Sequence, residues 1–124
     1  MARILVVEDE ILTRFSLAHW LRDQSHEVME AGTGDEAAGM LNSIPQIDLV
    51  ITDIEMPGQV DGLGLARQVR DTRAGLPVIL VSARDEGPEI ARLAAAFFRK
   101  PYDLNRVSAL VGRLVPARDG ARPA

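Results

Sequence analysis

A chain of 124 residues, with a net charge of −4 and nearly half its residues apolar, has the length of one domain with one core. No apolar stretch approaches the roughly 18 residues that span a bilayer, and Glu8, Asp9 and Glu10 follow the first apolar run too closely for a signal peptide. The absence of cysteine removes disulfide and thiolate chemistry and fits a cytoplasmic setting, while the negative balance argues against nucleic acid as the main partner.

Ile4–Val7 opens the chain as a short Val/Ile/Leu run, the pattern of a parallel strand covered on both faces. Ile11, Phe15, Ala18 and Leu21 then recur at helical steps, which predicts a first helix packed through that stripe. His26–Ala31 reads as a strand near an edge, since Val28 and Met29 are flanked by Glu27 and Glu30. Thr33-Gly-Asp-Glu36 has the form of a capping box for a second helix carrying Ala37, Met40, Leu41 and Ile44. Leu49–Asp53 is a third strand ending in an acid. Leu63, Ala66 and Val69 mark a third helix, stopped near Gly75 and Pro77. Val78–Val81 is a fourth strand, closed by Ser82. Pro88 starts a short fourth helix, and Phe97-Phe98 is a fifth strand leading through Arg99 to Lys100-Pro101. Leu104, Val107, Leu110, Val111 and Leu114 form the last helical stripe. Strand and helix alternating five times predicts an α/β fold with a parallel sheet and right-handed crossovers.

In such a sheet the carboxyl ends of the strands share one edge, where open α/β sheets bind ligands. Glu8-Asp9, Asp53, Ser82 and Lys100 would converge there. Magnesium prefers oxygen ligands, keeps several waters and needs only one or two carboxylates. Asp9 and Asp53 can supply them, with Glu8 accepting from a metal-bound water. Three carboxylates packed together are costly without a cation. Asp53 is then placed to attack phosphorus, with Lys100 as a compact positive charge and Ser82 as a hydrogen-bond donor for the phosphoryl oxygens. Singly, each of these residues reads as a cap, a turn residue or a solvated charge; together, at four strand ends, they point to phosphoryl chemistry. Pro57 and Gly58 allow a sharp turn after Asp53.

The set Val-Val-Glu8-Asp9-Glu, Thr-Asp53-Ile-Glu-Met-Pro57-Gly, Val-Ser82-Ala and Phe-Arg-Lys100-Pro101 resembles the receiver domain of two-component response regulators. The resemblance implies a flavodoxin-like, doubly wound sheet of five parallel strands in the order 2-1-3-4-5, with five helices. It implies Asp53 as phosphoacceptor, Asp9 as a direct Mg²⁺ ligand with Glu8 beside it, and the main-chain carbonyl of Glu55 as a further ligand. It further implies Lys100 as the phosphoryl-binding lysine, Ser82 as the switch hydroxyl, Phe97 as the aromatic switch residue and a cis bond before Pro101. The implied partners are a histidine kinase or phosphotransfer protein and a downstream protein target, with a monomer or a phosphorylation-dependent dimer as the assembly. No enzymatic turnover is expected beyond the domain's own phosphorylation and dephosphorylation. Residues 1–115 would form a stand-alone receiver, and 116–124 a tail without order.

The stretch between Ser82 and Phe97 is short for this family, near the lower bound of roughly 10–12 residues for a crossover. Glu55 and Arg84, each two residues beyond a site residue, are placed to bridge over the phosphoryl group as a bidentate pair and restrict water. Two other readings compete. Asp53, Ser82 and Lys100 also suit an aspartate-nucleophile phosphatase of the haloacid dehalogenase type, but such enzymes carry the nucleophile on the first strand. Gly32-Thr-Gly34-Asp-Glu-Ala37 fits the glycine pattern of a dinucleotide-binding module but leaves Glu8, Asp9 and Lys100 unexplained. His19 and His26 have no histidine partner and read as packed or solvated groups.

Overall fold

The computed structural model describes residues 2–115; the expectation for 116–124 lies outside them. Five strands, β1 (Arg3–Val7), β2 (Glu27–Ala31), β3 (Leu49–Asp53), β4 (Val78–Ser82) and β5 (Ala96–Arg99), pair in parallel in the order β2-β1-β3-β4-β5. The connecting helices are α1 (Ile11–Asp23), α2 (Gly34–Ser43), α3 (Gly62–Thr72), α4 (Pro88–Leu93) and α5 (Leu104–Leu114). The expected order is the observed one. β1 leads outward to β2 and β3 then returns on its other side, so the topological switch point lies between β1 and β3.

Side chains alternate across the sheet and build a core on each face. Leu5, Val7, Val50, Val78 and Leu80 face α2, α3 and α4 and meet Ala37, Leu41, Leu65, Val69 and Ile90. Ile4, Val6, Leu49, Ile51, Ile79 and Val81 face α1 and α5 and meet Leu17, Ala18, Leu21, Val107 and Val111. β3 and β4 are buried along their whole length, whereas β5 is only half-buried, as its edge position requires.

The first helix departs from the expected stripe. Leu17, Ala18 and Leu21 are its buried residues, while Ile11 and Phe15 are 67% and 57% exposed. Ala18 and Leu21 belong to both patterns, but Leu17, which lies outside the predicted stripe, sets the true phase. The other helices follow their patterns more closely. Thr33 caps α2 by accepting from the Glu36 amide at 3.0 Å, and the Glu36 carboxylate reaches back to the Gly32 amide at 2.9 Å. α4 is only six residues long, with Pro88 in its first turn.

Two glycines are dictated by close approach. A Cβ on Gly62 would sit 2.2 Å from the Asp53 carbonyl oxygen, and one on Gly34 would sit 2.0 Å from that of Val60. Both hold the loop after β3 against its neighbours. Gly34 thus has a packing role, which accounts for the second glycine of the dinucleotide-like pattern without a nucleotide.

Candidate functional site

Strand alternation decides what meets at the carboxyl edge. Glu8 continues the row of Ile4 and Val6, Asp53 that of Leu49 and Ile51, and Lys100 that of Ala96 and Phe98. These three therefore share the α1/α5 side of the edge. Ser82 continues the row of Val78 and Leu80 and so belongs to the α3/α4 side.

The Lys100 ammonium donates to Glu8 Oε1 at 2.9 Å and to Asp53 Oδ2 at 3.1 Å. The side chains of Glu8 and Asp53 are each 7% exposed. Asp9 stands beside them, exposed, and one carboxylate oxygen from each of Glu8, Asp9 and Asp53 can lie within 4.8 Å of the others. Burial pushes the carboxyls of Glu8 and Asp53 above the usual range, against the pull of Lys100. Burial also works against the charge on Lys100, but hydrogen bonds from its ammonium to Glu8 and Asp53 outweigh it and hold its pKa above the ordinary lysine value. Asp53 Oδ1 is buried and has no hydrogen-bond partner among the described residues. An orphaned carboxylate oxygen beside two further carboxylates is the donor set a hard, oxygen-seeking cation fits.

The site is fixed by backbone on every side. The amide of Glu8 donates to Ala31 at 3.1 Å, that of Ile54 to Val81 at 2.9 Å and that of Lys100 to Ser82 at 2.8 Å. The peptide bond between Lys100 and Pro101 is cis. Arg14, from α1, donates to the Glu8 carbonyl at 2.9 Å and to Glu30 at 3.2 Å, which ties the acidic loop to β2. Nothing in the sequence singles Arg14 out, since an arginine on an early helical turn reads as solvated. Tyr102 is a second unforeseen neighbour: burial, then the charge of Glu8, raises its phenol pKa. Its place directly after Lys100-Pro101 is the signal that could have found it.

Ser82 does not join the cluster around Lys100. Its hydroxyl lies 2.8 and 3.0 Å from the two carboxylate oxygens of Glu55, and it accepts from the Arg84 amide at 3.0 Å. Arg84 Nε donates to Glu55 Oε2 at 2.8 Å. Glu55 and Arg84 thus do meet at the mouth of the site, through one guanidinium nitrogen rather than the two of a bidentate pair. Phe97 is half-buried against the α3/α4 core, on the same side as Ser82, while Phe98 packs on the opposite side. His26 accepts from the Ala2 amide at 3.2 Å, and His19 stacks on Phe15 with ring centres 5.9 Å apart. Neither histidine adjoins the acidic cluster.

A five-stranded parallel sheet with an acid pair, a buried aspartate and a lysine at its switch-point edge defines a receiver architecture. The family comparison gives the same class: residues 4–111 match the response regulator receiver domain. The chain belongs to that family. It is 32% identical to the transcriptional regulatory protein PhoP of Escherichia coli over 95% of this chain and 54% of that protein. It is 34% identical to the transcriptional regulatory protein PdtaR of Mycobacterium tuberculosis over 83% of this chain and 51% of that one. The chain thus spans about half the length of these curated relatives. The structure of the response regulator TrrA of Thermotoga maritima, in complex with Mg²⁺ and beryllofluoride, superimposes with a TM-score of 0.85 at 32% identity, covering 93% of this chain and all of that one.

Proposed function

We propose that this receiver accepts a phosphoryl group on Asp53 from a phosphohistidine, with Mg²⁺ held by Asp9, Asp53 and the main-chain carbonyl of Glu55 and with Glu8 accepting from a bound water. The single observation that carries this reading is the state of Asp53 itself. One of its oxygens is held by Lys100, while the other is buried with no hydrogen-bond partner among the described residues, and the acid pair lies beside it.

An oxygen of Asp53 bonds to phosphorus as the P–N bond of the donor breaks, and the electron pair stays on the imidazole nitrogen. Mg²⁺ supplies neutralisation of phosphoryl charge and a fixed geometry for its oxygens. Lys100 then moves from sharing two carboxylates to balancing a phosphoryl oxygen. The complex of TrrA with Mg²⁺ and beryllofluoride, on the same fold, supports both the metal and the phosphoryl site.

The donor would dock beside α1. Ile11, Leu12 and Phe15 are 67%, 76% and 57% exposed, and Leu12 lines a groove of about 620 Å³ with Lys100, Pro101 and Tyr102. An apolar patch of this kind next to a phosphoacceptor suits a histidine-bearing helix. The phosphorylated domain then signals to another protein in the cytoplasm and performs no turnover on other substrates. Incubation with acetyl phosphate and Mg²⁺ should label the protein once, and Asp53→Asn should abolish the label, because an amide cannot form an acyl phosphate. Undiminished labelling of Asp53→Asn would refute the assignment, and steady hydrolysis of p-nitrophenyl phosphate would favour a phosphatase.

A further inference from the structure

Ser82 is fully buried, and its hydroxyl has one proton to give. That proton is directed at the Glu55 carboxylate, 2.8 Å away, and the oxygen is simultaneously held by the Arg84 amide at 3.0 Å. Glu55 is fixed in turn by Arg84 Nε at 2.8 Å. Asp53 and Ser82 end neighbouring strands, with Asp53 paired to Val81, yet Ser82 leaves the edge on the opposite face from the Asp53–Lys100–Glu8 cluster. The hydroxyl is therefore near the phosphoacceptor and committed elsewhere.

We propose that Glu55 is a positioning residue that latches the Ser82 hydroxyl away from the phosphorylation site, so that release of this hydrogen bond is part of the free energy of switching. The proposal rests on the reading of Asp53 as phosphoacceptor. The proton can be shared between the two oxygens of one carboxylate, but it cannot point at Glu55 on one side of the sheet edge and at a phosphoryl group on the other. The Glu55-bound and phosphoryl-bound arrangements of Ser82 therefore exclude each other. Such exclusivity makes a two-state element. Phosphorylation biases it twice. It places a competing acceptor in reach of Ser82, and by turning the Asp53 carboxylate into a dianionic acyl phosphate it adds about one net negative charge close to the Glu55 carboxylate, two residues away. Because the Arg84 amide donates to the same hydroxyl, a move of Ser82 carries the start of the β4–α4 loop with it.

A hydrogen bond to a charged group corresponds to roughly tenfold or more in an equilibrium. Beryllofluoride binding to Mg²⁺-saturated protein, followed by calorimetry, reads that equilibrium directly. Glu55→Ala should bind about tenfold more tightly than wild type, and Glu55→Gln, which keeps an acceptor oxygen but not the charge, should fall between them. In a Ser82→Ala background, Glu55→Ala should lose most of that gain and keep only the smaller part owed to removal of a like charge. A tenfold gain that persists undiminished without the Ser82 hydroxyl would show a simple charge effect and overturn the latch, as would an unchanged affinity in Glu55→Ala. Failure of wild type itself to bind beryllofluoride with Mg²⁺ would overturn the phosphoacceptor reading and the latch with it. The folded state of each variant is checked by the ring resonances of Phe98, on the far side of the sheet.

Discussion

Among the described residues, Lys100 is the cation that the structure places between Glu8 and Asp53, and Lys100→Met tests what that placement is worth. At an effective dielectric of about 20, unit charges about 3 Å apart attract by roughly 5 kcal/mol, and Glu8 and Asp53, with oxygens able to lie within 4.8 Å, repel by about 3 kcal/mol. Desolvation of the three groups consumes much of the gross attraction. Removing one partner of a buried ionic cluster typically costs about 3–5 kcal/mol. The lower end applies here because the Lys100 side chain is 27% exposed and water screens it in part. A loss of about 3 kcal/mol corresponds to a fall in Tm of about 12 °C for a domain of this size. The sign of the metal response is the sharper result. Without the ammonium, a divalent cation meets more uncompensated negative charge, so Mg²⁺ should raise the Tm of Lys100→Met by more than it raises that of wild type. Thermal unfolding in chelator and in graded Mg²⁺ reads both quantities. A variant as stable as wild type in chelator, or one with a smaller Mg²⁺ gain, would refute the electrostatic reasoning.

Asp9→Ala should leave stability in chelator nearly unchanged but remove most of the Mg²⁺-dependent gain. That gain is about 2.7 kcal/mol, or about 10 °C in Tm, when Mg²⁺ is at roughly a hundredfold excess over the wild-type Kd; an equal gain in the variant would exclude Asp9 as a ligand. Gly62→Ala must displace backbone, since its Cβ would lie 2.2 Å from the Asp53 carbonyl oxygen. A loss of about 3 kcal/mol or more in urea unfolding is expected, with weakened Mg²⁺ binding, and a variant with wild-type stability and normal binding would show that this contact yields without cost. Arg84→Ala should hasten loss of phosphate from the labelled protein, followed by mass, if Arg84 and Glu55 screen the mouth of the site from water. Unchanged or slower loss would dismiss that role.

The strands and the residues at their ends are legible because a parallel sheet buried on both faces leaves unbroken Val/Ile/Leu runs, and β3 and β4 are buried throughout, whereas the strand order follows only from the resemblance to receiver domains. α5 is legible for a related reason: Val107 and Val111 are the buried centre of a complete stripe. α1 misleads because its exposed side is also apolar. Ile11 and Phe15 mimic a core stripe, and only the packed sheet shows that Leu17, Ala18 and Leu21 hold the helix. Within the site, the identities of Glu8, Asp9, Asp53, Ser82 and Lys100 can be read from their places after the strands. Their division between the two sides of the sheet edge cannot, because it depends on where each strand's alternation ends relative to its neighbours. Hence the contact of Lys100 with both Glu8 and Asp53, and that of Ser82 with Glu55, emerges only in three dimensions. Arg14 is illegible because its partners, the Glu8 carbonyl and Glu30, are assembled by tertiary structure.

The most direct measurement of the central claim is the chemical location of the phosphoryl group. An acyl phosphate is reduced by borohydride, whereas a free carboxylate is not. After labelling with acetyl phosphate and Mg²⁺, reduction and peptide sequencing by mass spectrometry should find the aspartate at position 53, and no other acid, converted to homoserine. Conversion at Glu8, Asp9 or Glu55 instead, or at no residue in a protein that carries the label, would contradict the assignment of Asp53 as phosphoacceptor.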